Sequence, residues 1–363
     1  MTRYLSLKDI DWMLLGLCLL ICGLGIMQIY STTHNTRFAG AHVMQIYWLL
    51  ISLAGAAVVS LVDYKALLSR WPVFYLATVV LLVVVLLTSR RIYGSKRWIQ
   101  IGDAQFQVSE FVKLVIILAL AQYFSESRQD QVSLADLLKV GLLAGLPAGL
   151  ILLQPDLGTA LTIVPAVAVA LFLAGLQWRH AVVLLLLAAL ALPVVWHLGL
   201  KPYQKARLTA FANPEADPQG SGYQVLQSKI AVGSGGLWGK GTAKGSQTQL
   251  FYLPVPHTDF ILAAFAEEHG FLGVLAVLLL YFMVLMRLIH NAQTAPDRAG
   301  VFIIMGVGAV LLFQIAVNVG MVVGYMPVTG IPLPLMSKGG SSLLFTFLAV
   351  GLVNNVRLRR FVN

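Results

Sequence analysis

Ten apolar stretches divide this chain, at residues 11–30, 45–62, 73–89, 110–124, 136–153, 159–176, 180–199, 261–287, 299–323 and 339–357. Most of them reach the ~18–20 residues that a helix needs to cross the hydrocarbon core of a bilayer. Lipid offers no partner for backbone N–H and C=O groups, so a crossing stretch of this kind folds as a helix. Charge usage agrees: 11% of the residues are Asp, Glu, Lys or Arg and 58% are hydrophobic, whereas soluble domains carry roughly 25% charged residues. The expected fold is an all-α polytopic membrane protein with about ten transmembrane helices. It forms a single domain over residues 1–363. The stretch 110–124 carries Glu110 and Lys113, and hydropathy alone supports it least.

The two cysteines, Cys18 and Cys22, lie four apart on the first apolar stretch. That spacing puts them on one helix face as small packed hydrophobes. It provides neither a disulfide framework nor a zinc spacing. The stretch begins near Asp11 and is too long for the core of a signal peptide, so it is expected to be retained as the first helix.

Basic residues in short loops set the orientation. With the N-terminus in the cytoplasm, Arg3, Lys8, Lys65, Arg70, Arg128, Lys139, Arg179, Arg287, Arg298, Arg357, Arg359 and Arg360 all fall on the cytoplasmic side. An even number of spans returns the C-terminus to that side. The loop 89–109 departs from the pattern, because Arg90, Arg91, Lys96 and Arg97 then lie outside. Two readings are open for it: contact with lipid headgroups, or a site for an anionic ligand, since guanidinium forks match phosphate oxygens.

A large outer loop, 200–258, is expected between the seventh and eighth spans. It holds Lys201, Lys205, Arg207, Lys229, Lys240 and Lys244 against Glu215 and Asp217. A connection of this length is more often functional than idle, and Val225–Val232 suits a short interfacial helix. The glycine-rich run from Gly233 to Gly241 lacks the setting and spacing of a phosphate-binding loop, and is a weak nucleotide site.

Ionisable residues at or within spans are costly, and they point to function by default. The assigned topology brings four such clusters to the outer face, where the loops 89–109, 200–258 and 324–338 are expected to form one polar site. In Gln107-Val-Ser-Glu-Phe-Val-Lys113, Glu110 and Lys113 are three apart; they either neutralise each other for insertion or serve the site. In Gln154-Pro-Asp-Leu-Gly-Thr159, Asp156 either caps the next helix or serves the site. In the third, Leu253-Pro-Val-Pro-His-Thr-Asp-Phe260, prolines stiffen the approach to a span whose outer half holds Asp259, Glu267 and Glu268. Three carboxylates exceed what capping needs, and Asp259 is the leading functional candidate. The fourth, 326–342, is rich in proline and glycine and places Lys338 where it can meet an anion. Such irregular backbone is tolerated at membrane depth only where protein buries it or it lines a cavity.

These motifs resemble the SEDS family (RodA, FtsW and SpoVE) of peptidoglycan polymerases. The matching pieces are Gly94-Ser-Lys-Arg-Trp-Ile99, Gln107-x-Ser-Glu110, Gln154-Pro-Asp-Leu-Gly-Thr159, Gly222-Tyr-Gln, Gln227-Ser-Lys-Ile-Ala-Val-Gly-Ser-Gly-Gly236, His257-Thr-Asp-Phe260 and Pro334-Leu-Met-Ser-Lys-Gly-Gly-Ser-Ser342. They run in family order over nearly the whole chain, and Pro327-Val-Thr-Gly-Ile-Pro-Leu-Pro resembles the elongation member RodA. One departure stands out: the family usually reads Ser-Tyr-Gly-Gly where this chain has Ser337-Lys-Gly-Gly340.

The resemblance implies polymerisation of lipid II, a disaccharide-peptide on undecaprenyl diphosphate, at the outer leaflet of the bacterial cytoplasmic (inner) membrane. An acceptor hydroxyl attacks the anomeric carbon of the donor, undecaprenyl diphosphate leaves and configuration inverts. The hydroxyl needs one positioned base, and the diphosphate needs cations more than an acid. Asp259 matches the family's essential aspartate and is the expected base. Lys96, Arg97, Trp98, Glu110, Lys113, Asp156 and Lys338 are the expected substrate-binding residues. A divalent cation, Mg²⁺ or Mn²⁺, is a candidate at Asp259; no organic cofactor and no nucleic-acid partner is expected. The implied protein partner is a class B penicillin-binding protein, the crosslinking transpeptidase, with other elongation-complex proteins. Two other classes fit the same helices and loops: a lipid II flippase, and a non-catalytic scaffold that recruits the transpeptidase.

Overall fold

The computed structural model describes residues 9–89, 97–101, 104–127, 131–214 and 220–360. Its helices follow the apolar stretches: α1 (Trp12–Thr33), α2 (Ala41–Leu61), a short α3 (Tyr64–Ser69), α4 (Trp71–Thr88), α5 (Ser109–Glu126) and α6 (Leu134–Leu153). Next come a broken pair, α7 (Leu157–Leu161) and α8 (Ile163–Leu173), and then α9 (Trp178–Val194), which runs into a π-helical turn, Val195–Gly199. The expected large loop holds α10 (Pro202–Ala212), α11 (Ser221–Ser234) and α12 (Ser246–Gln249) before α13 (Ile261–Gln293), α14 (Arg298–Val323) and α15 (Gly340–Leu358). Among the described residues, eight helices are long and apolar enough to cross a membrane. α5 and the α7–α8 pair occupy the other two expected spans. The anticipated interfacial helix is α11, though it packs against α13 and α14.

Asp11 fixes one end of the bundle. It caps α1 through Leu14 N (3.1 Å) and accepts hydrogen bonds from Arg287 Nε (2.7 Å), Asn291 Nδ2 (2.7 Å) and Arg357 Nη1 (3.0 Å). Full satisfaction by fixed donors is what a buried carboxylate requires. The same contacts draw the start of α1 and the last turns of α13 and α15 together at one end of the bundle. α14 is the hub of the bundle, packed on α5, α8, α11, α13 and α15. Its fully buried Ile303, Val307 and Val310 form part of the core. α9 contributes no buried residue and stands outside the bundle.

The weakest expected span is explained by pairing. On α5, Lys113 Nζ lies 2.8 Å from Glu110 Oε2, both side chains are buried, and the ammonium sits 4.0 Å from the centre of the Phe345 ring. Before α5, β1 (Ile99–Ile101) and β2 (Ala104–Phe106) form an antiparallel hairpin with Ile99 opposite Phe106. Strands of three residues are too short for alternation to reveal them in sequence.

The glycine-rich run is a backbone dock for α13. That helix breaks at Gly270 (φ 67°, ψ −169°). Across the break, Lys240 N donates to Glu267 O (3.0 Å), Gly241 N to Glu268 O (2.9 Å) and Phe271 N to Gly236 O (2.8 Å). The run thereby satisfies carbonyls that the interrupted helix leaves open. A Cβ on Gly270 would lie 2.3 Å from Gly239 N, and one on Gly239 would lie 2.2 Å from Glu268 O. Both positions also have positive φ. Gly270→Ala is therefore expected to destabilise the fold by at least ~2 kcal/mol. A lowered thermal midpoint, with faster proteolysis within 235–250, would show this; an unchanged midpoint would refute the docking role.

Candidate active site

At the end of the bundle opposite Asp11, irregular segments converge. Residues 324–339 carry no helix or strand, yet Val328, Ile331, Leu333, Leu335 and Met336 are buried. Their backbone is held by groups from the helices. Asn318 of α14, fully buried, donates Nδ2 to Ile331 O (2.9 Å) and to Asp259 O (3.1 Å). Ser337 Oγ donates to Thr258 O (2.7 Å) and Lys338 N to His257 O (2.9 Å), so 337–338 runs alongside 257–258. Gln45 of α2 holds the other side, with Nε2 donating to Ser337 O and Oε1 accepting from Gly339 N.

Asp259 stands just before α13, half-buried beneath this cover. Its Oδ2 and Arg207 Nη1 approach the same point above Gly330, at 3.6 and 3.8 Å. Burial pushes the carboxyl above the ordinary carboxylate range, against the opposing charges of Arg207 and Arg97 and a hydrogen bond from Thr258. No ion pair closes on this carboxylate among the described residues. It faces two guanidinium groups without being consumed by either. Arg207 itself is placed by α10, where Nη1 donates to Val328 O (3.3 Å). Sequence reasoning counted Arg207 among the outer-loop cations without singling it out. Its only signal was the i, i+4 spacing from Tyr203, whose ring lies 6.0 Å from the guanidinium.

Asp156 is both a helix cap and an ion-pair partner. It caps α7 through Thr159 N (3.3 Å), and its Oδ1 lies 3.2 Å from Arg97 Nη1. Gln107 Nε2 donates to Asp156 Oδ2 (2.7 Å), while Gln107 N donates to Ser341 Oγ at the start of α15 (2.9 Å). The motifs around 97, 107, 156 and 341 are thus one hydrogen-bonded unit. Arg97 Nε is buried and has no hydrogen-bond partner. Trp98 is half-buried, with the Arg97 guanidinium 5.7 Å from its ring. Lys96 lies outside the described residues.

Other expected site residues are placed differently. Glu110 and Lys113 pair with each other in the interior, one of the two readings that the sequence left open. Glu267, fully buried, accepts from Lys240 Nζ (2.8 Å), Gln247 N (2.8 Å), Thr248 N (3.0 Å) and Thr248 Oγ1 (2.9 Å). Glu268 accepts from Ser31 Oγ (2.6 Å) and Gln28 Nε2 (3.2 Å). Both glutamates are latches that bind the 235–250 loop and α1 to α13. Lys338 runs beside His257, with its ammonium 5.0 Å from the centre of the Phe38 ring. Among the described residues no three His, Cys, Asp or Glu side chains converge as a metal cage.

The fold and site define a polytopic α-helical membrane protein with a lone carboxylate and facing guanidinium groups at one end. The profile of the cell cycle protein family of FtsW, RodA and SpoVE matches residues 10–360, and the chain belongs to that family. It is 36% identical over 362 residues to a protein of Trichlorobacter lovleyi named a probable peptidoglycan glycosyltransferase FtsW, covering 96% of this chain and 93% of that one. It is 39% identical over 292 residues to the peptidoglycan glycosyltransferase MrdB of Escherichia coli, covering 80% and 78%. Among solved structures, a chain described under structural coordination of polymerization and crosslinking by a peptidoglycan synthase complex superposes with a TM-score of 0.84. That match has 37% identity and covers 98% of this chain and 99% of the other. The rod shape determining protein RodA of Thermus thermophilus superposes with a TM-score of 0.73, at 32% identity and 98% coverage of each chain.

The latch role of Glu267 has a direct test. Glu267→Gln keeps the size but removes the charge that Lys240 and two backbone N–H groups address, so a loss of ~2–4 kcal/mol is expected. Denaturant or thermal unfolding in detergent measures it, and a wild-type midpoint would refute the latch.

Proposed function

We propose that this protein is a peptidoglycan glycosyltransferase that joins lipid II disaccharide units into glycan strands, releasing undecaprenyl diphosphate, for cell elongation. The observation that carries the reading is Asp259: a half-buried carboxylate with no ion-pair partner, beside Arg207 and within the field of Arg97. Attack by a sugar hydroxyl needs one base within hydrogen-bond reach, and a raised carboxyl pKa makes Asp259 a better acceptor for that proton. The leaving diphosphate is already an anion, so fixed guanidinium groups stabilise the charge that develops on it. Arg207 and Arg97 supply that charge, and Asp156, itself held by Gln107, orients Arg97. One carboxylate suffices, unlike the paired carboxylates of glycoside hydrolysis.

A Mg²⁺ or Mn²⁺ ion would hold to Asp259 and to the substrate's own diphosphate, since no ready-made cage of three donors meets there among the described residues. Its chemistry would be charge neutralisation, which the two arginines also provide. The active site faces outward from the bacterial inner membrane, in keeping with basic residues at the other end of the bundle. The partner is a class B penicillin-binding protein: a chain of similar fold belongs to a peptidoglycan synthase complex. The elongation branch is favoured by Pro327-Val-Thr-Gly-Ile-Pro-Leu-Pro, although relatives named for both branches match at similar identity.

Glycan synthesis from purified lipid II, in complex with a transpeptidase whose crosslinking serine is inactivated, tests the assignment. Asp259→Asn should lower polymer formation by at least ~100-fold, the usual worth of a general base, with folding and complex formation retained. Normal polymer from this variant would favour the scaffold reading. Translocation of lipid II without polymer from the wild type would favour the flippase.

A pH series tests the electrostatics. Asp259 acts as the base only when ionised, so activity falls as pH drops through its raised pKa. Arg207 opposes that rise, and Arg207→Gln should move the acid limb to higher pH as well as lower the maximum. An acid limb that stays in place would show that Arg207 does not act on Asp259.

A further inference from the structure

We infer that Lys338 and Arg37, gathered around Phe38, form a second anion subsite for the diphosphate of a second lipid-linked substrate molecule. This rests on the polymerase reading above. Lys338 occupies the position where the resembled family usually has tyrosine, and its surroundings are built with unusual care. Its own N–H is bonded to His257 O (2.9 Å). Ser337 is held by Gln45 Nε2 through its carbonyl (3.2 Å) and by Thr258 O through its hydroxyl (2.7 Å), and Gly339 N donates to Gln45 Oε1 (3.2 Å). The backbone on both sides of Lys338 is therefore pinned, and the side chain leaves it in a defined direction.

The ammonium is half-buried yet unneutralised. Among the described residues it has neither a carboxylate nor a hydrogen-bond acceptor, only the Phe38 ring at 5.0 Å. Arg97, Lys240 and Arg357, also half-buried, each have a carboxylate partner, whereas Lys338, like Arg207, has none among the described residues. A cation–π contact offsets only part of the cost of desolvating an ammonium. Arg37, exposed on the connection between α1 and α2, brings its guanidinium carbon to 5.0 Å from the same ring centre, again without a carboxylate. His257 completes the group at 5.0 Å from Phe38. Burial and Lys338 push its pKa down to about 4, so at neutral pH it neither neutralises nor adds to the charge.

The location gives the subsite its occupant. His257 and Asp259 are two residues apart, so their Cα atoms are at most ~8 Å apart. Arg207 and Arg97 serve the Asp259 side, and Lys338 and Arg37 border the Phe38 ring that packs on His257. Joining two lipid-linked units seats two diphosphates on one protein, the donor's at the bond that breaks and the acceptor's at the far end of its disaccharide from the attacking hydroxyl, so each needs its own cations. An anionic phospholipid headgroup offers the same phosphate chemistry, and the experiment separates the two sources.

The full chain in phosphatidylcholine nanodiscs is titrated with farnesyl diphosphate, and stoichiometry is read by calorimetry. Wild type should bind two equivalents; Lys338→Gln and Arg37→Gln should each bind one, and Lys338→Arg should return to two. In polymer synthesis, Lys338→Gln should raise the KM for lipid II about tenfold, more than it lowers kcat. Two equivalents and an unchanged KM in both neutral variants would overturn the proposal. So would displacement of the second equivalent by phosphatidylglycerol in the nanodisc, which would assign the site to a headgroup. Absence of polymer from the wild type would remove the polymerase reading, while the stoichiometry would still decide whether the second subsite exists.

Discussion

An irregular backbone buried among membrane helices is stable only if its carbonyls and amides find partners there. In this protein much of that duty falls on a few buried amide side chains. Asn318 of α14 binds the carbonyls of both Asp259 and Ile331, and Gln45 of α2 binds both sides of Lys338. These contacts let a segment rich in proline and glycine sit over the end of the bundle without becoming a helix. They also locate Asp259 to within a hydrogen bond of its backbone. The chemistry at that carboxylate depends on this scaffold before it depends on any charge.

The charges divide according to whether their partners are complete. Glu110, Glu267, Glu268 and Asp11 are buried and fully engaged, by Lys113, by Lys240 and backbone amides, by Ser31 and Gln28, and by Arg287 and Arg357. Removing one partner from such a group is costly, which makes these contacts structural. Asp259, Arg207, Arg97 and Lys338 retain unfilled capacity, and all four border the same loops. A carboxylate that faces guanidinium groups without pairing can accept a proton while a neighbouring anion is held. That combination favours group transfer at the membrane surface over passage through the bundle.

The glycine-rich run shows how a misleading local pattern is settled by packing. Its glycines resemble a phosphate loop only in composition. Gly239 and Gly270 admit such a close backbone approach that a side chain on either would collide with the other strand of chain. The run repairs the broken α13, and the Glu267 latch holds it there. The loop 200–258 thereby becomes part of the fold, and it carries α10 and Arg207 to the site.

Much of this architecture was legible in the chain itself. Apolar length and scarcity of charge determined the helices, because backbone in lipid has so few alternatives. Local motifs marked Arg97, Asp156, Asp259 and Lys338, since ionisable residues beside spans are too costly to be incidental. Sequence left open whether Asp156 was a cap or a site residue, and whether Glu110 and Lys113 served each other or a ligand. It ranked Asp259 above Glu267 and Glu268 without showing why, and it did not separate Arg207 from the other loop cations. Those distinctions depend on which donors arrive from distant segments: Lys240 and the 247–248 amides at Glu267, Ser31 at Glu268, and Arg207 beside Asp259. Spacing along one helix reports only neighbours a turn away, whereas the fate of a buried charge is set by partners that only the tertiary fold brings within reach.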